Sequence, residues 1–172
     1  LGDVYKRQNV CYNFFKTVVN FYAVNLNAQR RFDKEDFFLK AYNAKDIRNI
    51  AIAGHGGRGK TTLAEAMLYT AKATDRLGRV ADGTTVLDFD AEEKKRKATV
   101  STAVAAIEWN GAKINIIDTP GLFDFAGGMS EGIRAADSVL IVTAAGSGFD
   151  VGAEKALKAA NARGISRMFA IT

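Results

Sequence analysis

Two short stretches hold the residues whose types and spacing can do chemistry. The first is Gly54-His55-Gly56-Gly57-Arg58-Gly59-Lys60-Thr61, followed by Thr62. It fits G-x-x-x-x-G-K-[ST], in which glycines let the backbone curl until successive amides point inward at phosphate oxygens. A helix that opens at the end of such a loop adds the positive end of its dipole. In this pattern Lys60 bridges the β- and γ-phosphates and Thr61 offers its hydroxyl to magnesium. His55, Arg58 and Thr62 belong to the phosphate-contacting loop by position, although His55 and Arg58 occupy variable positions and read as solvated side chains. The second stretch is Asp118-Thr119-Pro120-Gly121. An aspartate at a strand end can hold a magnesium shell through a water, and Gly121 can present its amide to a γ-phosphate. Pro120, the chain's only proline, stiffens that turn. Each stretch strengthens the other, because a lone Asp-x-x-Gly is common.

These loops need a scaffold, and the apolar pattern supplies one. Asn49–Ala53 reads as a buried strand leading into the glycine-rich loop, and 60–72 as a helix with Leu63, Met67 and Leu68 on one face. Polar, non-periodic 75–97 reads as a long loop, a length usually tied to function. Residues 100–109 and 112–117 flank Asn110-Gly111, a strong hairpin signal. A buried strand over 138–144, a helix over 151–163 and a strand over 166–172 follow. Strands alternating with helices predict an α/β fold with a mostly parallel sheet and one antiparallel edge strand.

Length and composition bound the rest. The 172 residues leave room for one domain with a real core. A net charge of +5 says little about partners, and the single cysteine, Cys11, fits a reducing compartment. No run is long and apolar enough for a bilayer span, so no membrane partner is expected, and the expected location is cytoplasmic. Residues 1–8, LGDVYKRQ, read as an adapter-derived scar. Residues 9–39 read as upstream read-through or as a helical or disordered extension, with Leu39 a candidate start position. The domain proper is expected over 40–172.

GHGGRGKTTLAEAML, DGTTVLDFDAEEKKRKATVST and INIIDTPGLFDF resemble elongation factor G and its elongation-factor-G-like relatives. The resemblance implies a G domain of the phosphate-loop NTPase fold that binds GTP or GDP with Mg²⁺ and hydrolyses GTP. It implies the ribosome, RNA and protein, as partner and no homo-oligomer. Thr99 within RKATVST matches the first-switch threonine that ligates magnesium in the family. The charge run Asp88, Asp90, Glu92, Glu93, Lys94–Lys97 reads as a solvated face, and in the family this loop meets ribosomal RNA. Three departures stand out. Gly57 replaces an aspartate of the family's phosphate loop. Leu122 replaces the histidine that orients the attacking water, so no catalytic residue is assigned and hydrolysis is expected to be slow. The guanine-reading N-K-x-D motif is expected from about position 172, where Thr172 stands, so the domain is expected to stop before its last strand. Two alternatives follow from the residues: a nucleotide-gated binding switch with little hydrolysis, and a phosphate-loop ATPase of another class.

Overall fold

The computed structural model describes residues 41–146 and 148–172; the expectations for residues 1–8 and 9–39 lie outside the described residues. Five strands form one sheet in the order β2-β3-β1-β4-β5. They are β1 (Ile47–Gly54), β2 (Ala103–Trp109), β3 (Ala112–Asp118), β4 (Ser138–Thr143) and β5 (Ser166–Ile171). β1 pairs in parallel with β3 and β4, β4 pairs in parallel with β5, and β2 pairs antiparallel with β3. This is the expected mostly parallel sheet with an antiparallel edge. Asn110 and Gly111 join β2 to β3 with φ of 48° and 81°, the paired positive values that suit the sheet's twist.

Alternation along β1 sorts the core into two layers. Ile50 and Ile52 face a cluster with Leu63, Met67 and Leu68 of α1 (Lys60–Thr70), joined by Leu87. Ala51 and Ala53 face the opposite cluster, built by Met129 and Ile133 of α3 (Ala126–Ala135) and by Ala153, Ala156 and Ala160 of α4 (Val151–Arg163). All three α4 alanines are fully buried, so this helix lies close against the strands. A Cβ at Gly152 would come within 2.5 Å of His55 Cα, which places the start of α4 directly on the glycine-rich loop.

Two elements depart from expectation. The stretch 75–97 is not wholly irregular: it holds a 3-10 turn at Val80–Asp82 and a helix, α2 (Ala91–Arg96). Asp90 and Glu93 form a reciprocal capping box at the start of α2, which satisfies amides a short helix would otherwise leave open. α3 carries little sequence signal, because Gly127, Gly128 and Gly132 dilute its apolar stripe to Met129 and Ile133. Those glycines admit contacts: a Cβ at Gly132 would collide with Thr119 Cγ2.

Candidate nucleotide site

The glycine-rich loop leaves the end of β1 at the centre of the sheet. Gly54 has φ of +139°, and a Cβ there would collide with the Val142 carbonyl oxygen on β4, so only glycine fits. Gly59, at φ of 78°, is the residue before α1, and no side chain caps the helix. The first amides of α1 are therefore free of side-chain acceptors at the place where an anion would be held. Lys60 is buried and its Nζ donates to the His55 carbonyl oxygen at 2.9 Å, bracing the loop across its mouth. Burial lowers the pKa of this ammonium, opposed by Asp118, Asp150 and Asp88.

A cavity of about 270 Å³ opens above the loop. It is lined by Gly56, Gly57, Gly59, Lys60, Thr61 and Thr62 of the loop and the start of α1, and by Gly121 and Leu122. Val80, Asp88, Lys97, Ala98 and Thr99 complete the lining. The two motifs and Thr99 thus meet at one place. A Cβ at Gly121 would collide with Lys60 Nζ and lie 2.7 Å from the Gly56 amide nitrogen, so the second motif presses its backbone against the first.

Below the cavity the polar groups form a chain. Thr61 Oγ1 donates to Asp118 Oδ2 at 2.6 Å and lies 2.9 Å from Thr99 Oγ1. Thr99 Oγ1 in turn donates to Asp88 Oδ1 at 2.8 Å. All four residues are buried. Burial pushes the Asp118 carboxyl up to about 7, against the Thr61 hydrogen bond and the Lys60 charge, with Asp88 and Glu65 adding to the rise. Asp88 is also raised, first by burial, with the Thr99 hydrogen bond opposing. Asp118 Oδ1 and Asp88 Oδ2 are buried and have no hydrogen-bond partner among the described residues. Unpartnered buried carboxylate oxygens are costly unless something positive joins them. Two hydroxyls and two carboxylates in contact make an all-oxygen donor set, which suits a small hard cation such as Mg²⁺. Among the described residues no cluster of three or more His, Cys, Asp or Glu side chains is placed to hold a metal.

The variable loop positions turn away from the cavity. Arg58 is not a solvated side chain: its Nε donates to Asp150 Oδ2 at 2.9 Å, while Asp150 Oδ1 caps α4 by accepting from the Ala153 amide. The His55 ring is half-buried and packs on Phe123 at 5.4 Å between centroids, and Lys155 Nζ lies 4.4 Å from the same Phe123 ring centre. Leu122 stays at the cavity, its Cδ2 3.0 Å from where a Gly56 Cβ would stand. A hydrocarbon side chain there can neither donate nor accept a hydrogen bond.

Three acids escape the sequence argument as site elements. Asp88 belongs to the charge run expected to be solvated, but it is only 2% exposed and faces Thr99. Glu93 of the same run is buried: Oε1 accepts from the Val100 and Ser101 amides at 2.9 and 3.0 Å, and Oε2 from the Asp90 amide. Glu65, fully buried on α1, accepts from the Val86 and Leu87 amides at 2.7 and 3.0 Å. Glu65 thereby fixes the backbone just before Asp88, and Glu93 fixes it just after Thr99. The capping-box spacing of Asp90 and Glu93 is the available signal; Glu65 carries none, since an acid between Ala64 and Ala66 looks like any helical surface residue.

Comparison with known proteins accords with this geometry. Residues 45–172 match the elongation factor Tu GTP binding domain profile. Over 126 residues the chain is 43% identical to an elongation factor G-like protein of Mycobacterium tuberculosis, covering 73% of this chain and 18% of that one. It is 36% identical over 129 residues to elongation factor G of Dehalococcoides mccartyi, covering 75% and 19%. A crystal structure of a Thermus thermophilus protein superposes with a TM-score of 0.71 at 42% identity, covering 73% of this chain and 19% of that one. A bacterial selenocysteine-specific elongation factor superposes at 0.57 with 27% identity, covering 71% and 19%. The chain spans about a fifth of the length of these relatives. Among the described residues no helix is long and apolar enough to cross a membrane. With its loop glycines, Lys60, Thr61 and Asp118–Gly121 gathered at the end of a mostly parallel sheet, the chain belongs to the elongation factor Tu GTP-binding domain family.

Proposed function

We propose that residues 40–172 bind and hydrolyse GTP as the nucleotide domain of a cytoplasmic, ribosome-associated elongation factor G-like protein. The observation that carries this reading is the Thr61 hydroxyl, held at 2.6 Å by Asp118 and touching Thr99 at 2.9 Å. One atom thereby joins the phosphate loop, the Asp118–Gly121 turn and the loop that carries Thr99. The amides of His55 to Gly59 cradle the phosphates, with Thr62 at their edge, and Lys60 bridges the β- and γ-phosphates. Thr61 and Thr99 would hold Mg²⁺ directly, and Asp118 through a water. When bound, the ion neutralises charge on the phosphate oxygens and helps fix their geometry. Gly121 presents its amide to the γ-phosphate from a position no side chain tolerates. Loss of that phosphate removes what the Thr99 and Gly121 loops share, and both relax.

Leu122 supports a second reading. With no hydrogen-bonding group at that wall, water is poorly oriented, and the protein acts as a nucleotide-gated switch with little hydrolysis of its own. Unassisted enzymes of this fold turn over at about 10⁻⁴ to 10⁻² per second, so an external partner is expected to accelerate the step. Single-turnover GTP hydrolysis by the complete gene product, with and without ribosomes, separates the two. Acceleration by ribosomes supports the enzyme; a rate unchanged and below that range supports the switch. Displacement by GTP but not by ATP tests the choice of base.

A further inference from the structure

The cavity walls contain two cations, Lys60 and Lys97. Arg58, the other basic residue of the glycine-rich loop, is paired with Asp150 and does not line the cavity. Lys97 ends α2 in the left-handed region, at φ of 53°, a backbone conformation that suits glycine far better than lysine. Among the described residues the other non-glycine positions with positive φ are Lys72, which like Lys97 closes a helix, and Asn110 in the hairpin; Lys97 differs from both in lining the cavity. Lys97 is exposed, and among the described residues its ammonium has no ion pair or hydrogen bond. Its neighbour on α2, Arg96, is by contrast tied to Glu92.

Position completes the argument. Lys97 stands two residues before Thr99, whose hydroxyl touches Thr61 at the base of the cavity. Glu93 anchors the Val100 and Ser101 amides, so the backbone that carries Lys97 is held at the cavity rim at both ends, by α2 and by this clamp. A lysine stem is long and flexible enough to swing its charge over a rim of this kind. The charge balance asks for it: a triphosphate carries several negative charges, and Asp88 and Asp118 lie beside the same cavity. Leu122 offers nothing in return.

We propose that Lys97 contacts the γ-phosphate of bound nucleotide and serves this domain as a second phosphate cation that distinguishes triphosphate from diphosphate. This inference rests on the cavity's being the phosphate site proposed above.

The test is displacement of a fluorescent GDP analogue by GTP and by GDP from the complete gene product. Wild type, Lys97→Arg, Lys97→Gln, Lys97→Gly and Lys60→Ala are compared, with thermal midpoints for each. Losing one charge-assisted phosphate contact should weaken GTP by about 10- to 100-fold in Lys97→Gln and Lys97→Gly. GDP affinity should stay within about twofold, and Lys97→Arg should keep the wild-type preference. Lys97→Gly should melt no lower than wild type, since glycine adopts this backbone freely. The proposal is overturned if Lys97→Gln and Lys97→Gly keep the wild-type GTP preference, or if GTP and GDP weaken equally. Failure of the underlying site reads out separately, as Lys60→Ala leaving both affinities unchanged.

Discussion

Replacing Glu65 with alanine should loosen the 78–88 segment without unfolding the sheet. The Glu65 carboxylate is fully buried and accepts two backbone amides, Val86 at 2.7 Å and Leu87 at 3.0 Å. Leu87 is itself buried, so its orphaned amide costs about 2 kcal/mol; the part-buried Val86 amide can recruit water and costs about 1 kcal/mol. Losing the packed methylenes adds about 1.5 kcal/mol. Against this, Glu65 Oε2 has no partner among the described residues, and removing a poorly satisfied buried carboxylate returns about 1.5 kcal/mol. The net is a local destabilisation of about 3 kcal/mol, on the order of 100-fold in the opening equilibrium. Hydrogen exchange followed by mass spectrometry reads this directly. Peptides spanning 78–90 should exchange on the order of 100-fold faster in Glu65→Ala, while β1 and β3 amides keep their protection. Glu65→Gln, which retains one acceptor oxygen, should fall much nearer to wild type. Because Asp88 follows the anchored amides and holds Thr99, metal-dependent GTP affinity should weaken in parallel. Unchanged protection of 78–90 in Glu65→Ala would refute the idea that this carboxylate holds the loop.

Gly121→Ala should weaken GTP binding by about 5- to 150-fold, since forcing a methyl into packed backbone typically costs about 1–3 kcal/mol; the methyl would stand 2.7 Å from the Gly56 amide nitrogen. Displacement titrations check this, and wild-type affinity would contradict the close approach. Asp118 gives a pH signature. Its carboxyl is raised from 3.8 to about 7, so the folded protein holds this proton more tightly than the unfolded chain. Stability is therefore lost as pH rises from about 4 to about 7, by at most about 4 kcal/mol, and levels off above. Thermal midpoints taken in chelator without added nucleotide should fall more between pH 5 and pH 8 for wild type than for Asp118→Asn; equal slopes would count against it. Leu122→His should raise single-turnover GTP hydrolysis at least about tenfold by restoring a group that can position water. No change would show that this wall is not where water is activated.

How much of this is legible in the sequence depends on how local each signal is. The loop from Gly54 to Thr61 declares itself because its chemistry needs contiguous residues, and the strand before it and the helix after it carry strong apolar patterns. Asn110-Gly111 marks the hairpin by backbone requirement alone. Asp118 and Gly121 become readable only as a partner to the first loop. α3 escapes notice because its glycines trade apolar pattern for close packing against Thr119 and Pro120. α2 sits inside a charge run, and charge alone suggests solvent; only the spacing of Asp90 and Glu93 marks a helix start. The burial of Asp88, Glu93 and Glu65 is tertiary, produced by backbone amides distant in sequence or hidden in a loop, and residue type gives no warning of it. The same holds for Arg58, whose partner Asp150 lies 92 residues away.

The central claim is that one cradle, built from the Gly54–Thr61 loop and the Asp118–Gly121 turn, holds a nucleotide triphosphate. Equilibrium titration of GTP with Mg²⁺ into the complete gene product and its Lys60→Ala variant tests it most directly. Lys60 is buried with its Nζ on the His55 carbonyl, where a Gly121 side chain would otherwise begin. Its removal should cost at least about 100-fold in affinity while the thermal midpoint holds, given the strength of charge-assisted contacts to phosphate. GTP affinity unaltered in Lys60→Ala would contradict the account.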